Sequence, residues 1–346
     1  MPPDLQLLVK QYSETLPKGY GSQAVLNVQA SDVEGKMLLR GQVLTNKDRV
    51  ALHKLYERVG KVDDQIEVFP FAQVGSLPYG IVRLGVVDMR AEPRGDSGLE
   101  SQALAGDTLK ILAVSQDGQW LKVLRDWDDY PGWIEAKYIL RWSATDYLKW
   151  SALPKVVLLN TKPDFPRGSI LPVAPKRIPP TDTTFILSPE GKTIALSALV
   201  VQPVKANETP KRSSIVSYAK LLLADQPTHY LWGGVADRNL DCSAFNQIVY
   251  RLSGKGIPRD SYQQQAYARP IAPKVEDWKQ LESGDLLFFS ENGKRATHTG
   301  IYIGEGKFIH SSKGNDGIAM NDLNGSSDYE VKLRKIYWGA GRILDR

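Results

Sequence analysis

The sequence Asp-Cys-Ser-Ala-Phe-Asn-Gln-Ile-Val-Tyr-Arg-Leu, residues 241–252, decides how the last third of the chain folds. From Phe245 to Leu252 the apolar residues recur at the i, i+3, i+4, i+7 spacing of an amphipathic helix. Asp241 can cap this helix, because its side chain can accept hydrogen bonds from the free N–H groups of the first turn. Cys242, the only cysteine of the chain, is therefore expected at the helix N-terminus.

This position bears on the chemistry of the Cys242 thiol. The helix dipole and the free backbone N–H groups favour a negative charge there, so the sequence predicts a lowered thiol pKa and a nucleophilic cysteine. The alternative is a small buried apolar residue, as free cysteines commonly are. A single cysteine also excludes an intramolecular disulfide and any Cys-x-x-Cys metal or redox site.

Further elements are predicted on both sides of this helix. Ser213 or Ser214 can cap a preceding helix. Strand-like runs follow at residues 284–289, 298–304 and 307–312. The order predicts an α+β domain in which helices pack on an antiparallel sheet.

Two of the four histidines, His298 and His310, lie on two consecutive strands. If Gly304-Glu305-Gly306 forms the hairpin loop between them, the numbers of paired residues sum to 610. The two histidines then share one sheet face as diagonal neighbours, with their backbones roughly 7–8 Å apart, so that one imidazole can hold the other. A register shifted by one residue would send them to opposite faces.

With this register, Cys242, His298 and His310 can act as nucleophile, base and orienting residue. Two alternatives stay open. Each histidine can be a hydrogen-bonded structural residue, or the three side chains can bind zinc with one open position. Their spacing contains no compact ligand pair such as His-x-x-x-His.

The front of the chain shows three other patterns. Residues 1–75 indicate a small α+β unit, residues 80–142 alternate short strand-like runs with tight turns, and residues 150–205 are rich in proline. The elements predicted in the first unit are strands at 24–30, 36–44 and 65–69 and a helix at 47–60 capped by Asn46. Those predicted in the second are strands at 81–89, 108–114, 120–124 and 131–134, as in a small barrel. With a polar linker at 205–212, the predicted domains are 1–78, 79–145, 146–206 and 207–346.

Composition narrows the class of protein. The 346 residues are 42% apolar and 24% charged, as in ordinary globular proteins. No apolar run is long enough for a membrane-spanning helix, and no basic start with an apolar segment predicts a signal peptide. The net charge of +5 is spread along the chain, and residues 207–346 carry +3 of it. Nucleic-acid binding is not predicted, because it needs clustered positive charge.

The motifs of the last domain together resemble a known family. Their order in the chain is YLWGG (230–234), DCSAF (241–245), IPRDSYQQ (257–264), GDLLFF (284–289), HTGIYIG (298–304) and FIHSS (308–312). This set is similar to the NlpC/P60 family of papain-like cysteine peptidases, over about residues 213–346. The runs VVDMRAEP (86–93), LKILAV (109–114) and DYPGWIEAKYI (129–139) resemble a bacterial SH3 (SH3b) domain. Residues 146–206 resemble a second, more diverged SH3b barrel.

The resemblance implies catalytic roles for individual residues. Cys242 matches the nucleophile, His298 the general base, and His310 the third polar residue that fixes the tautomer of the base. Tyr230 matches the tyrosine whose hydroxyl stabilises the oxyanion together with the Cys242 backbone N–H. Trp232 matches a wall of the binding cleft. No metal or organic cofactor is implied.

Other residues match substrate contacts. Asp241 matches a carboxylate that recognises the free α-amine of the substrate. Ser243 and Ser261 match polar residues at the rim of the binding cleft. Glu92 and Tyr130, in the SH3b region, match residues that close the cleft behind that amine. The fold class expected is thus α+β: a papain-like NlpC/P60 catalytic domain preceded by two SH3b barrels and a small α+β unit.

The function implied is a cysteine endopeptidase that cleaves the bond between D-γ-Glu and the diamino acid of peptidoglycan stem peptides and prefers a free N-terminal L-Ala. The partner expected is the stem peptide, with no nucleic acid, no integral membrane segment and a monomeric enzyme. The expected location is the cell envelope, periplasmic or secreted, with the cytoplasm as the alternative. Competing interpretations are a non-catalytic wall-binding SH3b protein, the zinc site, and an acyltransferase on the same fold.

Overall fold

The N-terminal unit places a three-stranded sheet against two helices. The computed structural model describes residues 4–17, 19–175, 182–204, 208–236 and 238–344. The elements of this unit are α1 (Leu5–Thr15), α2 (Ser22–Val25), β1 (Asn27–Val33), β2 (Lys36–Val43), α3 (Asn46–Glu57) and β3 (Lys61–Val68). Strand β2 pairs antiparallel with β1 and parallel with β3, because α3 carries the chain back across the sheet.

Helix α1 was not among the predicted elements, and the predicted helix cap is wrong by one residue. Thr45, not Asn46, caps α3: its hydroxyl accepts from the Asp48 N–H while the Asp48 carboxylate accepts from the Thr45 N–H. This reciprocal pair satisfies two of the free donors of the first turn. Asn46 is therefore the first residue of the helix.

The next unit is a seven-stranded sheet, called here the SH3-like sheet, in the order β10-β4-β7-β8-β9-β5-β6. Its strands are β4 (Tyr79–Val82), β5 (Val86–Arg90), β6 (Leu99–Leu104), β7 (Thr108–Val114), β8 (Trp120–Arg125), β9 (Tyr130–Glu135) and β10 (Ile139–Trp142). The single strand predicted at 81–89 is two strands, since Gly85 turns the chain with a φ of +63°. Strand β6 was not predicted.

Two smaller sheets follow. After α4 (Ala144–Ser151), the strands are β11 (Lys155–Leu158), β12 (Ile170–Pro172), β13 (Thr183–Leu187), β14 (Thr193–Ser197) and β15 (Val201–Pro203). They form the sheets β12-β11-β15 and β13-β14. The predicted linker at 205–212 begins outside the described residues, at 205–207, and ends in the next helix.

The C-terminal domain packs helices on both faces of an antiparallel sheet ordered β18-β23-β19-β20-β21-β22. Its helices are α5 (Arg212–Ala224), α6 (Cys242–Leu252), α7 (Ser261–Tyr267) and α8 (Asp328–Lys335). Its strands are β16 (Val235–Ala236), β17 (Asn239–Leu240), β18 (Arg269–Ile271), β19 (Leu286–Phe289), β20 (His298–Gly304), β21 (Lys307–Ser312), β22 (Gly317–Asp322) and β23 (Tyr337–Arg342). The predicted serine cap of α5 is wrong, since Lys211 precedes the helix and its side chain makes no capping hydrogen bond.

The hairpin register that the two histidines require is confirmed. Ile301 lies opposite Ile309, and Tyr302 lies opposite Phe308. In both pairs the residue numbers sum to 610, and the register shifts only at the end, before Gly304. The two imidazoles therefore share one face of the sheet, where they pack with Phe289 and Phe308. Helix α6 packs against the opposite face, which carries Thr299 and Ile301.

Helix α6 also contacts the SH3-like sheet. The Arg251 guanidinium forms an ion pair with Asp107, and both side chains are almost fully buried. The Gln247 amide donates to Asp128 at 2.8 Å. Helix α6 is thus bonded to the SH3-like sheet and also packs against the sheet of the C-terminal domain. Among the described residues, no helix combines the length and the apolar character needed to cross a membrane.

Candidate active site

Cys242 is the first residue of α6, as the sequence predicts, and is 6% exposed. Asp241 caps the helix, and its carboxylate accepts from the Ala244 N–H at 2.8 Å. The thiol accepts a hydrogen bond from the backbone N–H of Thr299. Thr299 directly follows His298 on β20. The hydrogen bond therefore holds the Cys242 thiol next to the strand position that carries the His298 imidazole.

The expected lowering of the thiol pKa is wrong for the free protein. Burial, and then the Asp241 carboxylate, raise the pKa of Cys242 to about 12. The cost of burying a thiolate outweighs the favourable helix N-terminus and the hydrogen bond from Thr299. The thiol is therefore protonated at neutral pH, and its attack requires a base to accept the proton.

His298 belongs to a chain of hydrogen bonds. His298 Nε2 lies 2.6 Å from His310 Nδ1, and His310 Nε2 lies 2.9 Å from the Asn321 amide oxygen. The Asn321 amide nitrogen in turn points to Glu330 at 3.5 Å, which fixes the amide oxygen toward His310. His310 therefore carries its proton on Nε2 and accepts from His298 Nε2–H, which leaves Nδ1 of His298 free to accept a proton.

Both imidazoles are neutral at physiological pH. Burial, followed by the neighbouring His310 and then Lys332, lowers the pKa of His298 well below its usual value. Burial lowers the pKa of His310 to about 4, against the opposing effect of Asn321. A neutral imidazole beside a protonated thiol is the starting state for general-base catalysis.

Asn321 is a site residue that the sequence reasoning missed. It lies on β22, two residues beyond Ala319, the residue paired with His310. Diagonal neighbours on one face reach each other, so the contact becomes visible only once β22 is paired with β21. The connection contains Asp316-Gly317, a dipeptide common in hairpin turns, but β22 was not among the predicted strands.

The geometry of the two imidazoles bears on the zinc alternative. Two nitrogens bound to one tetrahedral zinc at about 2.0–2.1 Å would lie about 3.3 Å apart. The observed 2.6 Å is instead a hydrogen-bond distance. Over the described part of the chain, no three His, Cys, Asp or Glu side chains are grouped as metal ligands.

A cleft of roughly 720 Å³ opens over Cys242. Three parts of the chain line it: the C-terminal domain, the SH3-like sheet and the N-terminal unit. This volume is in the range of sites that bind small ligands or short peptides. The predicted residues that line the cleft are Tyr130, Tyr230, Trp232, Asp241, Ser243 and Ser261.

Glu92 is the one predicted contact that the structure does not bring to this cleft. Its side chain is 62% exposed and forms an ion pair with Arg94. It lies in the turn between β5 and β6, outside the lining of the cleft. Glu100, on β6, lines the cleft instead.

The carboxylate of Asp241 already has several partners within the protein. The Arg259 guanidinium binds both of its oxygens, at 3.0 and 2.6 Å. The Gly233 N–H and the Ser243 hydroxyl donate to it as well, at 3.0 and 3.2 Å. Arg259 therefore compensates the negative charge that was expected to face a substrate amine.

Two acidic residues that the sequence reasoning missed lie beside Tyr130. Asp260 and Glu100 both line the cleft and both interact electrostatically with the Tyr130 hydroxyl. Burial raises the pKa of Asp260 to about 6. Asp260 could have been noticed because it precedes Ser261 in the motif at 257–264. No sequence motif around Glu100 predicts its place in the cleft, since only tertiary packing brings β6 there.

Tyr230 lies near both Cys242 and Asp241 in the cleft. Burial, and then the neighbouring Cys242 and Asp241, raise the pKa of its hydroxyl above the usual value. The hydroxyl therefore stays protonated and can donate a hydrogen bond. Trp232, by contrast, is 71% exposed and forms an open edge of the cleft.

Comparison with known proteins agrees with this combination of fold and site. The NlpC/P60 family model matches residues 227–335, and the model of the bacterial dipeptidyl-peptidase SH3 domain matches residues 89–139. A probable endopeptidase NlpC homolog of Haemophilus influenzae is 31% identical over 188 residues, which cover 51% of this chain and 94% of that protein. The chain belongs to the NlpC/P60 family and is a peptidase with a bacterial SH3 domain.

Longer relatives also match the region before the peptidase domain. The γ-D-glutamyl-L-lysine dipeptidyl-peptidase of Bacillus subtilis is 29% identical over 271 residues, which cover 69% of this chain and 80% of that protein. The crystal structure of an NlpC/P60 family protein from Bacillus cereus superposes with a TM-score of 0.64 at 22% identity and covers 77% of this chain and 99% of that chain. The fold is therefore shared over about three quarters of this chain.

Proposed function

We propose that the protein is a cysteine endopeptidase that cleaves the bond between D-γ-Glu and the diamino acid of peptidoglycan stem peptides, with preference for a free N-terminal L-Ala. The observation that carries the proposal is the position of Tyr130, Glu100 and Asp260, which form an acidic end of the cleft that holds Cys242. The resemblance to γ-D-glutamyl-L-lysine dipeptidyl-peptidases supports the choice of bond.

The hydrogen bonds of the site lead to a mechanism. Nδ1 of His298 accepts the thiol proton as the Cys242 sulfur attacks the carbonyl carbon of the scissile bond. The Tyr230 hydroxyl and the Cys242 N–H stabilise the oxyanion of the tetrahedral intermediate. The protonated His298 then gives its proton to the leaving amine, and a thioester forms. Water, activated by His298, attacks this thioester and releases the peptide acid.

The acidic end of the cleft supports recognition of an ammonium group. Glu100 and Asp260 supply negative charge there, while Arg259 already neutralises Asp241. Acylation of the substrate amine would remove the positive charge that Glu100 and Asp260 attract, at roughly 1–3 kcal/mol or more for each interaction lost in the buried site. Intact murein, whose stem peptides are blocked at that amine, is therefore proposed to be a poor substrate. Because the proposed substrate is a cell-wall peptide, we propose that the protein acts in the cell envelope, or in the cytoplasm if released peptides are taken up.

Peptide cleavage tests this proposal. The protein should convert L-Ala-γ-D-Glu-L-Lys, or its diaminopimelate analogue, to L-Ala-γ-D-Glu and the free diamino acid, identified by mass. N-acetylation of the peptide should lower kcat/KM by at least about tenfold, which is about 1.4 kcal/mol. Glu100→Gln should lower kcat/KM for the free peptide and reduce its advantage over the acetylated one.

Glu92→Gln is the matched control, because it makes the same change in the turn that precedes β6 but outside the cleft. Its kcat/KM values should equal those of the unmodified protein. Equal cleavage of free and acetylated peptide, or equal effects of the two substitutions, would show that the amine end is not recognised by charge. Failure to cleave either peptide would refute the proposed bond.

The pH dependence gives a separate prediction. Because the pKa of Asp260 is about 6, kcat/KM for a free-amine peptide should fall as the pH decreases through that value, where the carboxylate becomes protonated and loses its charge. His298 and His310 have lower pKa values, so both imidazoles stay neutral there. In Asp260→Asn, which retains a helix-capping side chain, kcat/KM above pH 6 should be lower and this acid limb should be lost. An unchanged acid limb in the variant would contradict the assignment.

A further inference from the structure

The segment between α1 and β1 reaches out of the N-terminal unit to the cleft. Gly19, Gln23 and Ala24 line the same cleft as Cys242, although they are more than 200 positions away in sequence. None of these three residues belongs to the SH3-like sheet or to the peptidase domain. The N-terminal unit therefore contributes a wall to the site, which we call the 19–24 wall.

The 19–24 wall is fitted closely against the peptidase domain. The Gly19 carbonyl accepts a hydrogen bond from the Gln263 amide on α7. Gly19 has a φ of +83°, and a Cβ at this position would lie 2.6 Å from Gln263 Cγ and 3.0 Å from Tyr262 Cε2. Only glycine combines this backbone conformation with so close an approach.

The 19–24 wall is also fixed from two other sides. The Gly21 N–H donates to the carbonyl of Asp129 in the SH3-like sheet at 3.2 Å. Within the N-terminal unit, the Ser22 hydroxyl donates to Asp48 at 2.9 Å. The Gln23 side chain accepts from the Gly19 N–H and donates to the Ser13 carbonyl at 2.6 Å. The wall thus has a defined position.

These contacts locate the 19–24 wall at one end of the cleft. Asp129 directly precedes Tyr130, and Tyr262 and Gln263 closely follow Asp260. The wall therefore stands beside the acidic end, where the proposed function places the amino terminus of the peptide. Recognition of the ammonium by charge and exclusion by volume are separate effects, and the wall can supply only the second.

We propose that the 19–24 wall sets the length limit of the substrate: it excludes peptides that continue beyond the L-Ala amine, even when they carry a free amine of their own. This inference rests on the proposed function. It makes the N-terminal unit a specificity element of the enzyme, in which residues such as Gln23 and Ala24 determine how much space remains behind the first substrate residue.

Two peptides separate length from charge. L-Ala-γ-D-Glu-L-Lys and Gly-L-Ala-γ-D-Glu-L-Lys both have a free amine and the same scissile bond, but the second is longer by one residue. The quantity measured is the ratio of kcat/KM for the shorter peptide to that for the longer one. For the unmodified protein the ratio should be at least about tenfold.

Two substitutions should move this ratio in opposite directions. Gln23→Ala removes the side chain that holds the 19–24 wall in place, and the ratio should fall at least about threefold. Ala24→Leu adds volume on the cleft side, and the ratio should rise. Gln6→Ala is the matched control, since Gln6 also bonds twice to the backbone of the N-terminal unit, at Val28 and Ala30, but far from the cleft. Its ratio should equal that of the unmodified protein.

A general loss of stability would affect both peptides equally and leave the ratio unchanged. A ratio near one in the unmodified protein, or an unchanged ratio in both Gln23→Ala and Ala24→Leu, would overturn the role of the 19–24 wall while the proposed function stands. If the unmodified protein cleaves neither peptide, the proposed function fails, and the inference that rests on it fails as well.

Discussion

Replacing Cys242 with alanine is expected to abolish peptide hydrolysis and to leave the fold intact. The reason is that this thiol is the only one in the chain and lies at the start of α6 in the cleft. Loss of a nucleophile removes the covalent route entirely, whereas the smaller side chain leaves the helix cap by Asp241 in place. Product release by the variant should not exceed the uncatalysed background, and its thermal unfolding should resemble that of the unmodified protein.

Alkylation provides the companion experiment. Iodoacetamide should inactivate the unmodified protein as it adds one group to Cys242, detected by mass, and the alanine variant should take up none. A wall-binding protein without catalysis would be indifferent to both changes. Hydrolysis above background by Cys242→Ala would refute a cysteine mechanism.

His298→Ala and His310→Gln are expected to differ in severity. Removal of the base eliminates proton transfer, which is worth on the order of 10²–10⁴-fold in kcat. His310 acts through His298, so it is a positioning residue, and a glutamine amide oxygen can still accept from His298 Nε2–H. We therefore expect His310→Gln to retain part of kcat with little change in KM, and His310→Ala to retain less.

A control separates this effect from general destabilisation. His53→Ala removes a partly buried histidine of α3 that contacts Glu57 and Asp64 outside the cleft, and its kinetics should be unchanged. Recovery of activity in His310→Gln relative to His310→Ala is a readout that loss of packing alone would not produce. If His310→Gln were as inactive as His298→Ala, the orienting role would be wrong.

The positions of Cys242, His298 and His310 were predictable because they depend on local rules. A capping aspartate positions Cys242, and a short glycine-containing loop sets the register that brings His298 and His310 to one face. Both signals act over fewer than a dozen residues. The order of motifs then supplied the family, and the comparisons agree with it.

The rest of the site depends on contacts between distant segments. No local pattern indicates that Glu100 rather than Glu92 reaches the cleft, or that Asn321 meets His310 across β21 and β22. The thiol pKa was misjudged for the same reason. The helix N-terminus is visible in the sequence, but the burial that outweighs it is a property of the assembled fold.

The contacts of α6 with the SH3-like sheet mean that the peptidase domain and the SH3-like sheet depend on each other structurally. Asp107 and Arg251 are buried together across the boundary between two regions that sequence comparison treats as separate. In the full chain, replacing Asp107 with alanine would leave Arg251 buried as a charge without its partner, and breaking a buried pair in this way costs about 3–5 kcal/mol. That is a large share of the roughly 5–15 kcal/mol that keeps a protein folded. The SH3-like sheet therefore cannot be exchanged like a detachable targeting module, and homologous recombination or domain grafting at this boundary would have to carry both members of the pair.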